Sequence, residues 1–166
     1  MQEVPDITAA KLKILFIGYN PGVRSALTGH HFAGYSNRFW KLLYAAGLVP
    51  LLIKPEDDRG ILQYGLGITN IVARPSRTAA EITAAEYMQG REILKQKLAI
   101  LKPRVACFAG VGVYKAFVNR KKVVCGIQEY SAVEGIMDFV VPSPSGLNRT
   151  TFLEQLAYYQ KLQQLV

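Results

Sequence analysis

An α/β domain built on a largely parallel sheet is the fold class this sequence predicts, on three observations. Short apolar runs end at Gly or Pro, as buried strands do. Helical segments with capping residues stand between them. The chain has 166 residues, half of them hydrophobic, which suits one domain at ~100–200 residues per domain. Strands alternating with helices imply a sheet with helical crossovers.

At the amino end, residues 1–10 read as a loose arm. KILFIG (13–18) is a buried strand ending at Gly. Residues 19–36 carry three Gly and a Pro and no sustained period, so they read as an 18-residue loop. Such long loops are usually functional. Asn37 caps a helix over 38–47, with Phe39, Leu42, Leu43 and Ala46 on one face and Gly47 as its stop. LGITNIV (66–72) is a second strand. Thr83 with Glu86 makes a capping box for a helix to about Leu101, ended by Pro103. RVACFAG (104–110), apolar after Arg104 and mostly small, is a central strand. Residues 112–118 form a short helix, and 123–128 and 137–142 further strands. Thr151 with Glu154 opens a terminal helix with Leu153, Leu156 and Leu162 inward.

Composition narrows the function. Twenty Lys/Arg against twelve Asp/Glu give a formal charge of +8, the balance of a nucleic-acid or anionic-surface binder. Two cysteines, Cys107 and Cys125, are too few for a disulfide framework, a four-Cys zinc site or an iron–sulfur cluster. The start lacks the apolar core of a signal peptide. The longest uncharged stretch, Gly60–Ala73, is too short to span a bilayer. A cytoplasmic protein in a reducing compartment is expected, with no membrane partner.

In open α/β sheets, ligands sit beyond the carboxyl ends of the strands. The unusual loops fall there: GYNPG (18–22), Asn70 with Ala73–Ser76, Gly110–Gly112, and PSPSG after the last strand. In GYNPG, Gly18 allows a sharp exit from the strand and Pro21 stiffens the turn. The turn presents main-chain N–H groups and the Asn20 amide, the makings of an anion nest. The bland alternative is an ordinary turn. In PSPSGLNR (142–149), Leu147 stands at a stiff polar tip beside Arg149, a form that can insert between bases. The alternative is a Leu folded onto the core. Phe32 can stack on a flat heterocycle or simply anchor its loop. His30 and His31 diverge and suggest no third ligand, so no metal is expected. No dinucleotide fingerprint, phosphate loop or nucleophile elbow is present, and no cofactor is expected.

Taken together, FIGYNPGVRSALTGHHFAGYSNRFWKLLYAAG, GITNIVARPS and VVPSPSGLNR resemble the mismatch-specific uracil/thymine-DNA glycosylase family, most closely its bacterial branch. The stretches keep that family's order and spacing over residues 12–164. The resemblance implies a three-layer α/β/α fold, uracil-DNA glycosylase-like, acting as a monomer on double-stranded DNA with a mismatched or damaged base. Asn20 matches the catalytic Asn that holds the attacking water. Tyr19, through its main-chain N–H, and Phe32 match residues that bind and stack on the flipped base. Ser25 matches a small residue near the pyrimidine 5-position. Gly18 and Asn70, at two strand ends, complete the expected base-binding set. Ser145, Gly146, Leu147, Asn148 and Arg149 match the wedge that fills the gap and touches the widowed guanine. Two departures stand out: Ser143 replaces Asn, and Asn148 replaces a small residue. The implied activity is monofunctional removal of uracil opposite guanine, with ethenocytosine and thymine as further substrates. Two alternatives remain open on the residues alone: a non-catalytic nucleic-acid-binding domain and a small-molecule α/β enzyme.

Overall fold

Apolar runs become strands in this chain because a central sheet can bury them on both faces. In the computed structural model, which describes residues 1–166, the strands are Ile14–Gly18 (β1), Leu66–Asn70 (β2), Val105–Ala109 (β3), Gly126–Ile127 (β4) and Met137–Val141 (β5). They form one sheet in the order β2-β1-β3-β5-β4. All pairs are parallel except β4 with β5. β3 is central, as its small apolar residues predict.

Strand side chains alternate between two cores. Ile14, Phe16, Val105, Cys107 and Phe139 meet the helices Phe39–Ala45 (α2) and Phe152–Gln164 (α5). Leu15, Ile17, Ala106, Phe108 and Val140 meet Ala84–Leu101 (α3) and Val111–Val118 (α4). The result is three layers, α/β/α. Both capping boxes are formed, at Thr83–Glu86 and Thr151–Glu154. Asn37 Oδ1 accepts the Phe39 N–H at 2.9 Å, and Gly47 adopts φ 76° just past α2.

The structure corrects four expectations. Residues 1–10 are no loose arm: Val4 and Ile7 are buried, Ile7 bridges Ile68 of β2, and Asp6 pairs with Lys97. That anchoring depends on residues more than 60 positions away, which local pattern does not reveal. The 19–36 loop contains a six-residue helix, Val23–Thr28 (α1). Leu153 points outward, 75% exposed, because the Thr151 cap sets a phase that turns Gln155, Tyr159 and Leu162 inward. The 123–128 strand shrinks to two residues at the sheet edge.

The strand order places the site. From β1 the chain goes to β2 on one side, then to β3 on the other. The crevice of such a sheet opens where this reversal occurs, beyond the carboxyl ends of β1 and β3.

Candidate active site

A cavity of about 340 Å³ opens at that reversal point. This lies at the small end of ligand pockets, ~300–1,000 Å³. Its walls come from four segments: the β1 turn with the start of α1, Gly18–Ser25; the stretch around Phe32; and the loops Ser76–Ala79 and Ser143–Ser145.

Asn20 is the best-held polar group in it. Its amide nitrogen donates to the Arg74 carbonyl and to Ser76 Oγ, both at 2.8 Å. A carbonyl can only accept, so the nitrogen must face Arg74 and Oδ1 must face away. Ser76 is itself fixed: it is buried, donates from Oγ to the Thr78 carbonyl, and its N–H reaches the Pro21 carbonyl. Asn20 Oδ1 therefore remains an oriented acceptor on the cavity wall. The main-chain N–H groups of Tyr19 and Asn20 donate to no protein acceptor. The turn thus presents one acceptor and two donors side by side.

Phe32 borders the same space. Its backbone is left-handed, φ 49°, an uncommon conformation for an aromatic residue. The ring is backed by Phe39, with centroids 4.0 Å apart and planes 22° apart. The preceding histidine holds this kink. His31 is buried, its Nε2 donates to the Pro5 carbonyl at 2.8 Å, and its N–H donates to Asp58 Oδ2 at 2.9 Å. Burial, the largest influence, pushes its pKa below the usual histidine value, which keeps the ring neutral. His30 faces the other Asp58 oxygen at 3.2 Å. The pair serves loop anchoring. Ser25, also buried, accepts the Ala33 N–H through Oγ at 3.2 Å and closes the loop over the cavity.

The loop after β5 is stiffened from within. Asn148 donates from its side chain to the Ser143 carbonyl and accepts from the Thr150 N–H. Ser143 and Ser145 hydroxyls accept from the Ser145 and Leu147 N–H groups. Gly146 lies so close to Ser36 that a Cβ there would overlap its side chain. Only glycine fits this contact between the two loops. Leu147 stands out 93% exposed, with exposed Arg149 two residues on.

One expected site residue is elsewhere. The Asn70 side chain lies over Gly18 and lines a different cleft, with Val4–Asp6 and Ile93. Its strand neighbours the arm, so the cavity does not receive it. Conversely, Ser76 and its role in orienting Asn20 escaped the sequence. Only its place in a loop at the right strand end hinted at it. A second cavity of about 710 Å³ adjoins the first, walled off by Tyr19 and Ser143. The Tyr19 hydroxyl presses on Gly112 and leaves no room there for a Cβ. Burial raises the pKa of this phenol, so it is neutral. No helix is long and apolar enough to cross a membrane.

Two comparisons bear on this geometry. The sequence profile of the uracil DNA glycosylase superfamily matches residues 5–165. The fold is similar to a solution structure of a candidate uracil DNA glycosylase from Methanosarcina acetivorans. The TM-score is 0.60 at 19% identity, over 98% of each chain. At that identity the likeness speaks to the fold, while the profile match spans nearly the whole sequence. The chain belongs to the uracil DNA glycosylase superfamily, whose activity is that of a DNA glycosylase, a hydrolase acting on DNA.

Proposed function

We propose that the protein is a monofunctional, mismatch-directed DNA glycosylase that flips uracil opposite guanine into the cavity and hydrolyses its N-glycosidic bond. One observation carries this reading: both amide hydrogens of Asn20 are used by the protein, which turns Oδ1 away from Arg74 on the wall of the cavity that Phe32 also lines. A binding module has no need of such an acceptor.

A base inside a duplex cannot be reached. Flipping it costs a few kcal/mol, less at a mismatch. Leu147, on its stiff tip, fills the gap and offsets lost stacking, while Arg149 contacts the widowed guanine. The base then stacks on Phe32, and Ser25 bounds the space around its 5-position. Bond cleavage sends negative charge into the leaving base as the sugar becomes oxocarbenium-like. The Tyr19 N–H is the candidate donor to that charge, and one such donor is worth ~3–4 kcal/mol. Asn20 Oδ1 orients water for a late, weak attack. No lysine lines the cavity. A covalent amine step with strand cleavage is accordingly not expected.

The test is incubation with labelled duplexes carrying G:U, G:T, A:U, ethenocytosine, hypoxanthine or xanthine, followed by alkali to reveal abasic sites. Breaks at G:U above A:U support the reading. Mismatch binding without any alkali-labile product would leave the non-catalytic alternative in its place.

A further inference from the structure

Four cations gather at the end of the sheet remote from the cavity. Lys11 and Lys13 precede β1, and Lys102 and Arg104 precede β3. Main-chain bonds hold the two segments side by side: Lys11 N–H to Leu101 O, Arg104 N–H to Leu12 O, and Val105 N–H to Lys13 O, at 2.7–3.0 Å. All four side chains are exposed and none forms an ion pair; Arg104 alone has a hydrogen-bond partner, a long 3.4 Å contact to the Leu165 carbonyl. Lys11 and Lys102 adopt left-handed backbone, φ 57° and 49°, a conformation that Gly or Asn takes more easily. A cation suits the end of α3 at Lys102, but Lys11 ends no such helix. α4 runs back toward this end, and exposed Arg120, Lys121 and Lys122 come after it. Exposed Glu129 and Glu134, ahead of β5, are the opposing charges there.

The cavity end differs. Arg74 is paired with Glu86 and Arg38 is spent on the Thr150 carbonyl, while exposed Arg77 and Arg149 are left to face the first duplex. Five-residue strands separate the two ends by roughly 17 Å. A duplex is stiff over ~150 base pairs, so one seated on Leu147 does not wrap round to the far end. We propose that this far edge is a second DNA-binding surface, gripping the phosphate backbone of a separate, undamaged segment while the cavity holds the first. This rests on the DNA-binding part of the reading above, not on its chemistry.

The test uses two duplexes, one undamaged and fixed to beads, the other labelled and carrying a G:U pair. The native chain retains the label on the beads. A variant with Lys11→Gln, Lys13→Gln, Lys102→Gln and Arg104→Gln loses that retention, yet excises uracil from a short free duplex at the native rate. At ~0.9 per phosphate contact, its log-affinity against log-salt slope on long undamaged DNA is shallower by up to about 3.6. Lys13→Gln with Arg104→Gln, clear of both left-handed residues, gives about half that change and guards against a folding defect. The proposal is overturned by no bridging by the native chain, equal bridging by the variants, or a parallel loss of excision. Quadruplet-dependent capture by vesicles of anionic lipid, with none by duplex, also overturns it. Bridging without excision of any lesion would sink the glycosylase reading and leave this one standing.

Discussion

The β1 turn and the β5 loop form two lips of one cavity, and they are made rigid by a different balance of bonds. Asn20 is held by a foreign segment, through Arg74 and Ser76, across more than 50 residues of chain. Leu147 is held largely by its own loop, through Ser143, Ser145 and Asn148, with Arg38 bracing that loop from outside at Pro144 and Thr150. The difference matches what each lip would do. An acceptor that orients water must keep its angle, which takes external bracing. A wedge must only resist bending, and bonds within the loop, tied at its two ends by Arg38, meet that need. Asn148, the departure in the wedge motif, is thus the brace of its loop.

The largest effect that can break this contrast is at Asn20. Asn20→Ala is expected to lower single-turnover excision at G:U by at least ~100-fold, with duplex affinity within a few-fold. Equal activity would refute its role. Phe32→Ala comes next, since base–aromatic stacking is worth ~1–3 kcal/mol, read as a loss of excision on both duplex and single-stranded uracil. Leu147→Ala sharpens the contrast, because the loss is confined to duplex; a uniform loss on both substrates counts against a wedge. Ser76→Ala removes one of two bonds to Asn20 and is expected to cost ~1 kcal/mol in kcat, with KM unmoved.

The smallest effect lies outside both lips. Asp138 is buried at the amino end of β5, bonded to the Tyr114 hydroxyl, and burial pushes its carboxyl up to about 6. A carboxyl raised on folding favours the folded state when protonated. Its contribution is full below the unfolded value and fades as pH rises through about 6. Asp138→Asn should flatten that part of the Tm–pH curve and leave excision untouched.

Much of this was readable from residue order. Apolar runs alternating with capped helices pointed to a largely parallel sheet, the family resemblance to its three layers, and GYNPG to the cavity. What stayed hidden was long-range. Val4 and Ile7 look like any two apolar residues until β2 supplies their partner. VRSALT is too short to show a helical period. Ser76 means nothing until the chain returns to Asn20. Asn70 sat at the right strand end, but its side chain turns to the arm rather than the cavity, which an end-of-strand rule does not resolve.

Arg38 joins the two lips from behind. Its N–H reaches the Pro144 carbonyl, its guanidinium reaches the Thr150 carbonyl, and the next residue is the Phe39 that backs Phe32. The ring that would sandwich the extruded uracil and the finger that would replace it in the helix are hinged on one arginine. Anything that levers the finger would tug on the sandwich, so the grip on a removed base and on the helix it leaves would share that pivot.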